Sequence, residues 1–293
     1  MTQDARHATA DPSNAAQGLL DALAGRRPFA PLSTHDPAFD LAAGYRVAAE
    51  VRRLRQARGE RPVGRKIGFT NTTIWAEYAV AAPIWGTLYD TTLHALADLD
   101  GPFALAPFVE PRLEPEIAFG LRAAPEPGMD ERALLGCVGW VAHGFEIVQS
   151  LFPAWRFTAP DTVAAFGLHG ALLLGPRVAV TDENVERWYA DLATFRVTLS
   201  RDGVAVEEGE AANVLGGGPL AALRHLVDTL AADPSSPPLA PGEVVTTGTL
   251  TRALPVSAGE RWSTHLAGLP LAGIGLALGG RERTSRDLGS GAP

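Results

Sequence analysis

With 293 residues, 46% hydrophobic and 20% charged, the chain has the makeup of a folded protein with a sizeable core, not of a disordered one. A formal net charge of -8 gives no basic footprint for nucleic acid or an anionic membrane. The apolar run 266–280 is broken by Gly268, Pro270, Gly273 and Gly275, too interrupted to span a bilayer.

In chain order, residues 1–16 read as a polar tail without the apolar segment of a secretory signal, and a cytoplasmic address is expected. Residues 17–62 read as a helical N-terminal subdomain. It holds a short helix in AAQGLLDALAGRR and a longer one in DPAFDLAAGYRVAAEVRRLRQARG, where Leu41, Tyr45, Val47, Val51 and Leu54 form a stripe and Gly59 is the stop. From residue 63 to 280 the texture changes to short strand-like runs punctuated by Gly and Pro: RKIGFT, IWGTLYD, LEPEIAFGLR, VGWVAHGFEIV, HGALLLG, FRVTLSRDGVAVEEGE, GEVVTTGTL and LAGIGLAL. Helices interrupt them at DERALLGC and GPLAALRHLVDTLAA. Strands clustered with few helices between them predict a mixed sheet, not a doubly wound parallel one. Arg201-Asp202-Gly203 reads as a hairpin turn leading into Val204–Glu210. Residues 281–293 read as a second polar tail.

The sequence contains 25 basic residues, of which only Lys66 is lysine. An arginine keeps its proton at neutral pH, whereas a buried lysine can be tuned to exchange one. A sole lysine is thus either a chance salt-bridge partner or a group kept for proton transfer. Cys137 is the only cysteine, which rules out an intrachain disulfide and reads as a packed thiol.

The densest chemical signal is Arg112-Leu113-Glu114-Pro115-Glu116. In a strand, alternate residues share a face, so Glu114 and Glu116 project together about 6–7 Å apart, and Pro115 favours the extended form. Two carboxylates side by side either face solvent or share a cation. An all-oxygen donor set suits Mg²⁺ or Mn²⁺ better than Zn²⁺. Glu146 lies in the apolar run Trp140–Val148 and supplies a third acid, unless an arginine pairs with it. His143 and His169 lie in similar runs and read more readily as hydrogen-bonded core groups than as ligands. Arg156 and Asp161 form either a loop ion pair or a pocket wall. Gly216-Gly217-Gly218 lacks the spacing of a phosphate loop.

Taken together, GRKIGFT, PIWGTLYD, PRLEPEIAFGL, GFEIVQS with Trp155 and Asp161-Thr162-Val163, and PLAPGEVVTTGTLTRALPVSAGERW occur in an order that resembles the fumarylacetoacetate hydrolase superfamily. The similarity is to its 2-keto-4-pentenoate hydratase / 4-oxalocrotonate decarboxylase branch and runs from about residue 40 to 278. The resemblance implies an α+β fold in which a mixed β-sheet rolls into a barrel-like core behind a helical N-terminal portion. It implies Mg²⁺ or Mn²⁺ on Glu114, Glu116 and Glu146, and a catalytic Lys66; Asp90 and His169 are further catalytic candidates. Substrate contacts would come from Arg65, Phe145, Thr247, Gly248 and Thr249.

The implied activity is hydration of a 2-hydroxy-2,4-dienoate to a 4-hydroxy-2-oxo acid, with the ion stabilising an enolate and depressing the Lys66 pKa. Decarboxylation of a 4-oxalocrotonate-like acid and C–C hydrolysis of an acylpyruvate use the same electron sink. His143 or His169 would serve the hydrolase as a base. A family member that binds small acids without turnover is the non-enzymatic alternative. The partner is a small 2-oxo acid, and a homo-oligomer is implied. One departure concerns the pocket: where relatives continue A-D-N-A-S-S, residues 164–170 read AAFGLHG, an apolar wall containing a histidine.

Overall fold

The computed structural model describes residues 11–78, 80–233 and 236–280. The Asp11 carboxylate accepts the Ser13 N–H at 3.0 Å and Pro12 occupies the first turn of helix α1 (Pro12–Ala24). The polar lead-in is therefore shorter than the sequence reading of 1–16. Residues 12–16 are helical, and Ala15 and Ala16 are buried. The cap-plus-proline signature in the sequence marks this start. Residues 1–10 and 281–293, read as tails, lie outside the described residues.

Helices α2 (Leu32–His35) and α3 (Leu41–Ala57) follow. The Asp40 side chain caps α3 through the Ala43 N–H at 2.8 Å. Buried Val47 and Val51 of α3 join Leu19 and Leu20 of α1 in a cluster that also contains Phe152 and Ala164–Phe166. The N-terminal helices thus share a core with the chain around residues 151–166 and form a layer against the sheet.

The remaining elements are β1 (Pro62–Gly68), α4 (Trp75–Tyr78), β2 (Ile84–Tyr89), β3 (Leu93–Ala95), β4 (Phe103–Ala104), β5 (Arg112–Leu121), α5 (Glu131–Gly136), β6 (Val138–Val148), α6 (Ala159–Ala164) and β7 (His169–Ala179). They continue as α7 (Val185–Asp191), β8 (Arg196–Arg201), β9 (Val204–Glu210), α8 (Pro219–Ala232), β10 (Val244–Thr249), β11 (Leu254–Pro255), β12 (Arg261–Ala267) and β13 (Gly275–Gly279). The larger sheet runs β2-β1-β10-β5-β6-β7-β3, with β11 added beside β5, and curls strongly; the smaller runs β4-β13-β12-β8-β9. Both are mixed: β1 with β10, β3 with β7 and β4 with β13 are parallel, and the other pairs are antiparallel. The α+β class and the mixed, rolled sheet follow the expectation from the sequence. The Asp202-Gly203 turn joins β8 to β9, with both residues at positive φ.

Strand β12 was not legible as a run of apolar residues, because only Trp262, Thr264 and Leu266 face inward along its alternating pattern. Helix α8 buries Leu220, Leu223, Leu226, Val227 and Leu230 in the main core beside Ile117, Phe119 and Val141. Among the described residues no helix is long and apolar enough to cross a membrane.

Candidate metal centre

Strands β5 and β6 pair so that Glu114 lies directly opposite Glu146, and Glu116 opposite Gly144. Like charges facing each other across a ladder are unfavourable unless something neutralises them. Alternation puts all three acids on one face of the curled sheet, where they offer carboxylate oxygens within 4.8 Å of one another. Glu116 and Glu146 are fully buried, and Glu114 is half-buried.

Pro115 has no N–H for the ladder, and β10 bulges away at this point. Its pairing with β5 jumps from Thr246–Ala118 to Thr249–Glu116 and leaves Thr247 and Gly248 out of register. Gly248 has φ of 88°, and a Cβ there would stand 1.9 Å from Thr70 Oγ1, so only glycine fits. The bulge frees the Gly248 N–H, which donates to Glu116 Oε2 at 3.1 Å.

Lys66 comes from β1, 3% exposed. Its Nζ stands 3.3 Å from Glu146 Oε2 and donates to the Gly167 carbonyl at 3.1 Å. Gly167 has φ of 63°, and a Cβ there would approach Lys66 Cδ to 3.2 Å. His169 enters through a register shift in the β6–β7 pairing. Its Nδ1 lies 2.7 Å from Glu146 Oε1 and its Nε2 2.9 Å from Thr92 Oγ1.

The acids ionise unequally. Burial pushes Glu114 up to about 7, with Lys66 pulling down and Glu146 pushing further up. Burial and the Glu146 and Glu114 charges raise Glu116 well above the usual carboxylate range. Burial would raise Glu146 too, but the Lys66 charge and the His169 hydrogen bond outweigh it and hold that carboxylate down at about 2. For Lys66 itself, burial favours the neutral amine, yet Glu146, Glu114 and Glu116 together raise its pKa. Without an ion the charges of the three acids keep the proton on the ammonium; the depression expected from the sequence is the effect of a bound cation that offsets those charges.

The donors fit a hard divalent ion. Glu116 Oε1 and Glu146 Oε2 are buried and receive no hydrogen bond, although Lys66 Nζ faces the latter as an ion-pair partner. Buried acceptors without donors are costly, and an oxygen-liganded cation would satisfy them. Glu114 and Lys66 line a cavity together with Thr249, Phe69, Tyr78, Trp155 and Leu168 among others.

Several residues named from the sequence are placed elsewhere. Asp90 accepts from Arg61 N and Nε, both at 2.9 Å, and is partly exposed. It follows β2 four residues beyond Gly86, the partner of Lys66, or about 13 Å by strand rise. Arg65 neighbours Lys66 and so projects from the opposite face, where it pairs with Glu243 at 3.3 Å and lies 5.6 Å from the Trp85 ring. Phe145 likewise alternates away from Glu146 into a core with Leu113, Leu173 and Trp262. The Thr247 hydroxyl donates to the Ile117 carbonyl at 2.9 Å and is not free for a ligand. His143 is satisfied by the Glu116 carbonyl and Thr264 Oγ1, both at 2.9 Å, and burial lowers its pKa to about 4. Asp161 accepts from Ser33 and Thr158 and caps α6.

Residues missed from the sequence are Thr92, the Gly167 carbonyl and the aromatic wall of Phe69, Tyr78 and Trp155. No periodic pattern marks the wall in the sequence; in the structure Phe69, Trp155 and neighbouring Leu168 all have positive φ, a strained state for bulky side chains.

No family model matches the chain. The 2-hydroxyhexa-2,4-dienoate hydratase of Comamonas testosteroni is 32% identical over 257 residues, spanning 86% of this chain and 92% of the relative. The 2-keto-4-pentenoate hydratase of Paraburkholderia phymatum is 30% identical over 252 residues, spanning 86% and 92%. The solved 4-oxalocrotonate decarboxylase from Pseudomonas putida G7, complexed with magnesium and adipate, superposes with a TM-score of 0.81 at 26% identity, covering 91% of this chain and 97% of that one. The chain belongs to the family of 2-keto-4-pentenoate hydratases and 4-oxalocrotonate decarboxylases, and it shares its fold with fumarylacetoacetate hydrolase family proteins.

Proposed function

We propose that the protein is a divalent-metal-dependent hydratase that adds water to a 2-hydroxy-2,4-dienoate and yields a 4-hydroxy-2-oxo acid, with Mg²⁺ or Mn²⁺ on Glu114, Glu116 and Glu146. The observation that carries this reading is the convergence of three carboxylates within 4.8 Å, two of their oxygens without hydrogen bonds, beside the sole lysine of the chain. A bound divalent ion supplies Lewis acidity toward the 2-oxo and carboxylate oxygens of the substrate.

The protein's own groups do the rest. Hydration moves the proton of the 2-hydroxyl to C5, leaving the 2-oxo group, and then adds one water across C3–C4, hydroxide at C4 and its proton at C3. Lys66 Nζ, charged and aimed into the cavity between Glu146 and the Gly167 carbonyl, is the group placed to hold and hand over such a proton. His169 holds Glu146 in place and is in turn held by Thr92; its role is positioning, since both ring nitrogens are engaged. The aromatic wall excludes water from the reacting chain.

A decarboxylase of a 4-oxalocrotonate-like diacid is the second reading, favoured by the fold match to the decarboxylase of Pseudomonas putida G7. The C–C hydrolase reading loses its support here, because His143 and His169 are both committed to protein partners. The homo-oligomer implied by the resemblance is a proposal for sedimentation to test. The hydratase is tested by following 2-hydroxydienoate absorbance with Mg²⁺ or Mn²⁺. Loss of absorbance that a chelator or Lys66→Ala abolishes supports it. No loss, with CO₂ released from 4-oxalocrotonate instead, contradicts it.

A further inference from the structure

Beyond the acids and Lys66, the cavity changes character. Its far walls are Phe69, Ile74, Tyr78, Trp155, Leu168 and Ala253. The rings support one another: Phe69 and Tyr78 centroids are 5.8 Å apart, Tyr78 and Trp155 6.5 Å, and Phe157 stacks on Tyr78 at 6.0 Å from behind. Phe69 is fixed further because its carbonyl accepts the Trp75 indole N–H at 2.7 Å. The wall is held in strained backbone at Phe69, Trp155 and Leu168, whose φ values are 55°, 57° and 63°. Such strain persists where the surroundings over-determine a functional shape.

The polar inventory of this end is short. Among the described residues Lys66 is the only cationic side chain lining the cavity, and its ammonium already faces Glu146 and the Gly167 carbonyl. The nearest other cation that these walls contact is Arg112. It does not line the cavity: its guanidinium lies 4.1 Å over the Trp155 ring and donates to the Tyr78 hydroxyl at 2.7 Å. A terminal carboxylate entering here would lose its hydration with no unengaged cation to receive it, whereas an alkyl end would gain contact on every side.

We infer that this wall makes the site selective for 2-oxo acids and 2-hydroxydienoates with an uncharged, apolar end, and makes it reject diacids of the same length. Ile74, Leu168 and Trp155 are the specificity-determining residues. The inference rests on the reading of the cavity as the 2-oxo-acid site. It deepens that reading by naming the substrate tail, and it sets the diacid substrate of a decarboxylase at a disadvantage.

Saturated analogues separate recognition from turnover. The full-length protein with Mg²⁺ is titrated calorimetrically with 2-oxobutanoate, 2-oxohexanoate and 2-oxoadipate, the last two equal in length and different only in the terminal carboxylate. The expected result is 2-oxohexanoate binding at least about tenfold tighter than 2-oxoadipate, and tighter than 2-oxobutanoate by about fourfold per added methylene. Ile74→Arg should narrow or reverse the preference between the two six-carbon acids, and Arg112→Met should leave the ratio intact.

Equal or tighter binding of 2-oxoadipate overturns the inference, most directly if Arg112→Met removes it. Binding of none of the three overturns both the inference and the site it rests on. A protein that shows the expected ratio yet fails to hydrate any 2-hydroxydienoate loses the hydratase reading and keeps this one.

Discussion

The two faces of strands β5 and β6 are built from interleaved residues and have opposite physics. One face carries Glu114, Glu116 and Glu146, with carboxylates held close and two buried oxygens that receive no hydrogen bond, one of them ion-paired with Lys66. The other carries Leu113, Ile117, Phe119, Phe145 and Ile147, all fully buried in apolar clusters. The same backbone thus supplies rigidity on one side and reactivity on the other. The apolar face fixes the strands, and the strands hold mutually repelling acids where free side chains would separate. A site of this kind is positioned by residues that never touch it.

Substitutions on the acid face should break this contrast most. Glu116→Gln or Glu146→Gln is expected to weaken Mg²⁺ or Mn²⁺ binding by more than the roughly 10–100-fold typical of an outer-shell change, read by calorimetry. Without metal, Glu116→Gln should raise the melting temperature, because it removes a buried acid crowded by like charges. Lys66→Ala should lower kcat by about 10²–10⁴-fold, the usual worth of a positioned proton carrier. Lys66→Arg should fail to rescue it, since a guanidinium does not release its proton.

The opposite face should respond the other way. Phe145→Ala should cost about 3–5 kcal/mol of stability in thermal or denaturant unfolding, and leave the metal affinity of the folded fraction unchanged. A loss of metal affinity there without destabilisation would show the faces to be less separate than their geometry indicates.

The pH dependence sharpens the same contrast. Glu114 is raised from 4.5 to about 7 and Glu116 is raised well above 4.5, so between 4.5 and 7 the folded, metal-free protein binds more protons than the unfolded chain. Its stability should therefore fall as pH rises through that window. Glu146, lowered to about 2, contributes stability that is present above 4.5 and is lost as pH falls toward 2. Metal binding must expel the protons on Glu114 and Glu116, so affinity should climb from pH 5 to 8 with measurable proton release. Titrations in buffers of different ionisation enthalpy check the release. The smallest effect is expected at Asp90→Asn, which severs an exposed contact with Arg61 and should leave turnover and melting temperature unaltered.

Legibility in the sequence followed the range of the forces involved. Strand alternation is local, so the side-by-side projection of Glu114 and Glu116, the hairpin at Asp202-Gly203 and the apolar stripe of α8 could all be read from spacing. The same rule, applied one residue further, would have removed Arg65 and Phe145 from the site, because each is the immediate neighbour of a residue that faces it. What spacing could not supply was register between distant segments. The β10 bulge that turns the Gly248 N–H to Glu116, and the β6–β7 shift that seats His169 against Glu146, depend on pairings across more than twenty residues. The aromatic wall was hidden for a related reason: Phe69, Tyr78 and Trp155 come from three short segments that share no period. The charge state of Lys66 also lay beyond the sequence, since it is set by three acids that only the fold assembles.

The convergence of the three glutamates on one ion is tested most directly by anomalous scattering from crystals grown with Mn²⁺. A single strong peak is expected within bonding distance of an oxygen from each of Glu114, Glu116 and Glu146, with Lys66 Nζ alongside and outside the coordination sphere. A peak bound elsewhere, or no peak at this cluster at saturating Mn²⁺, would contradict it.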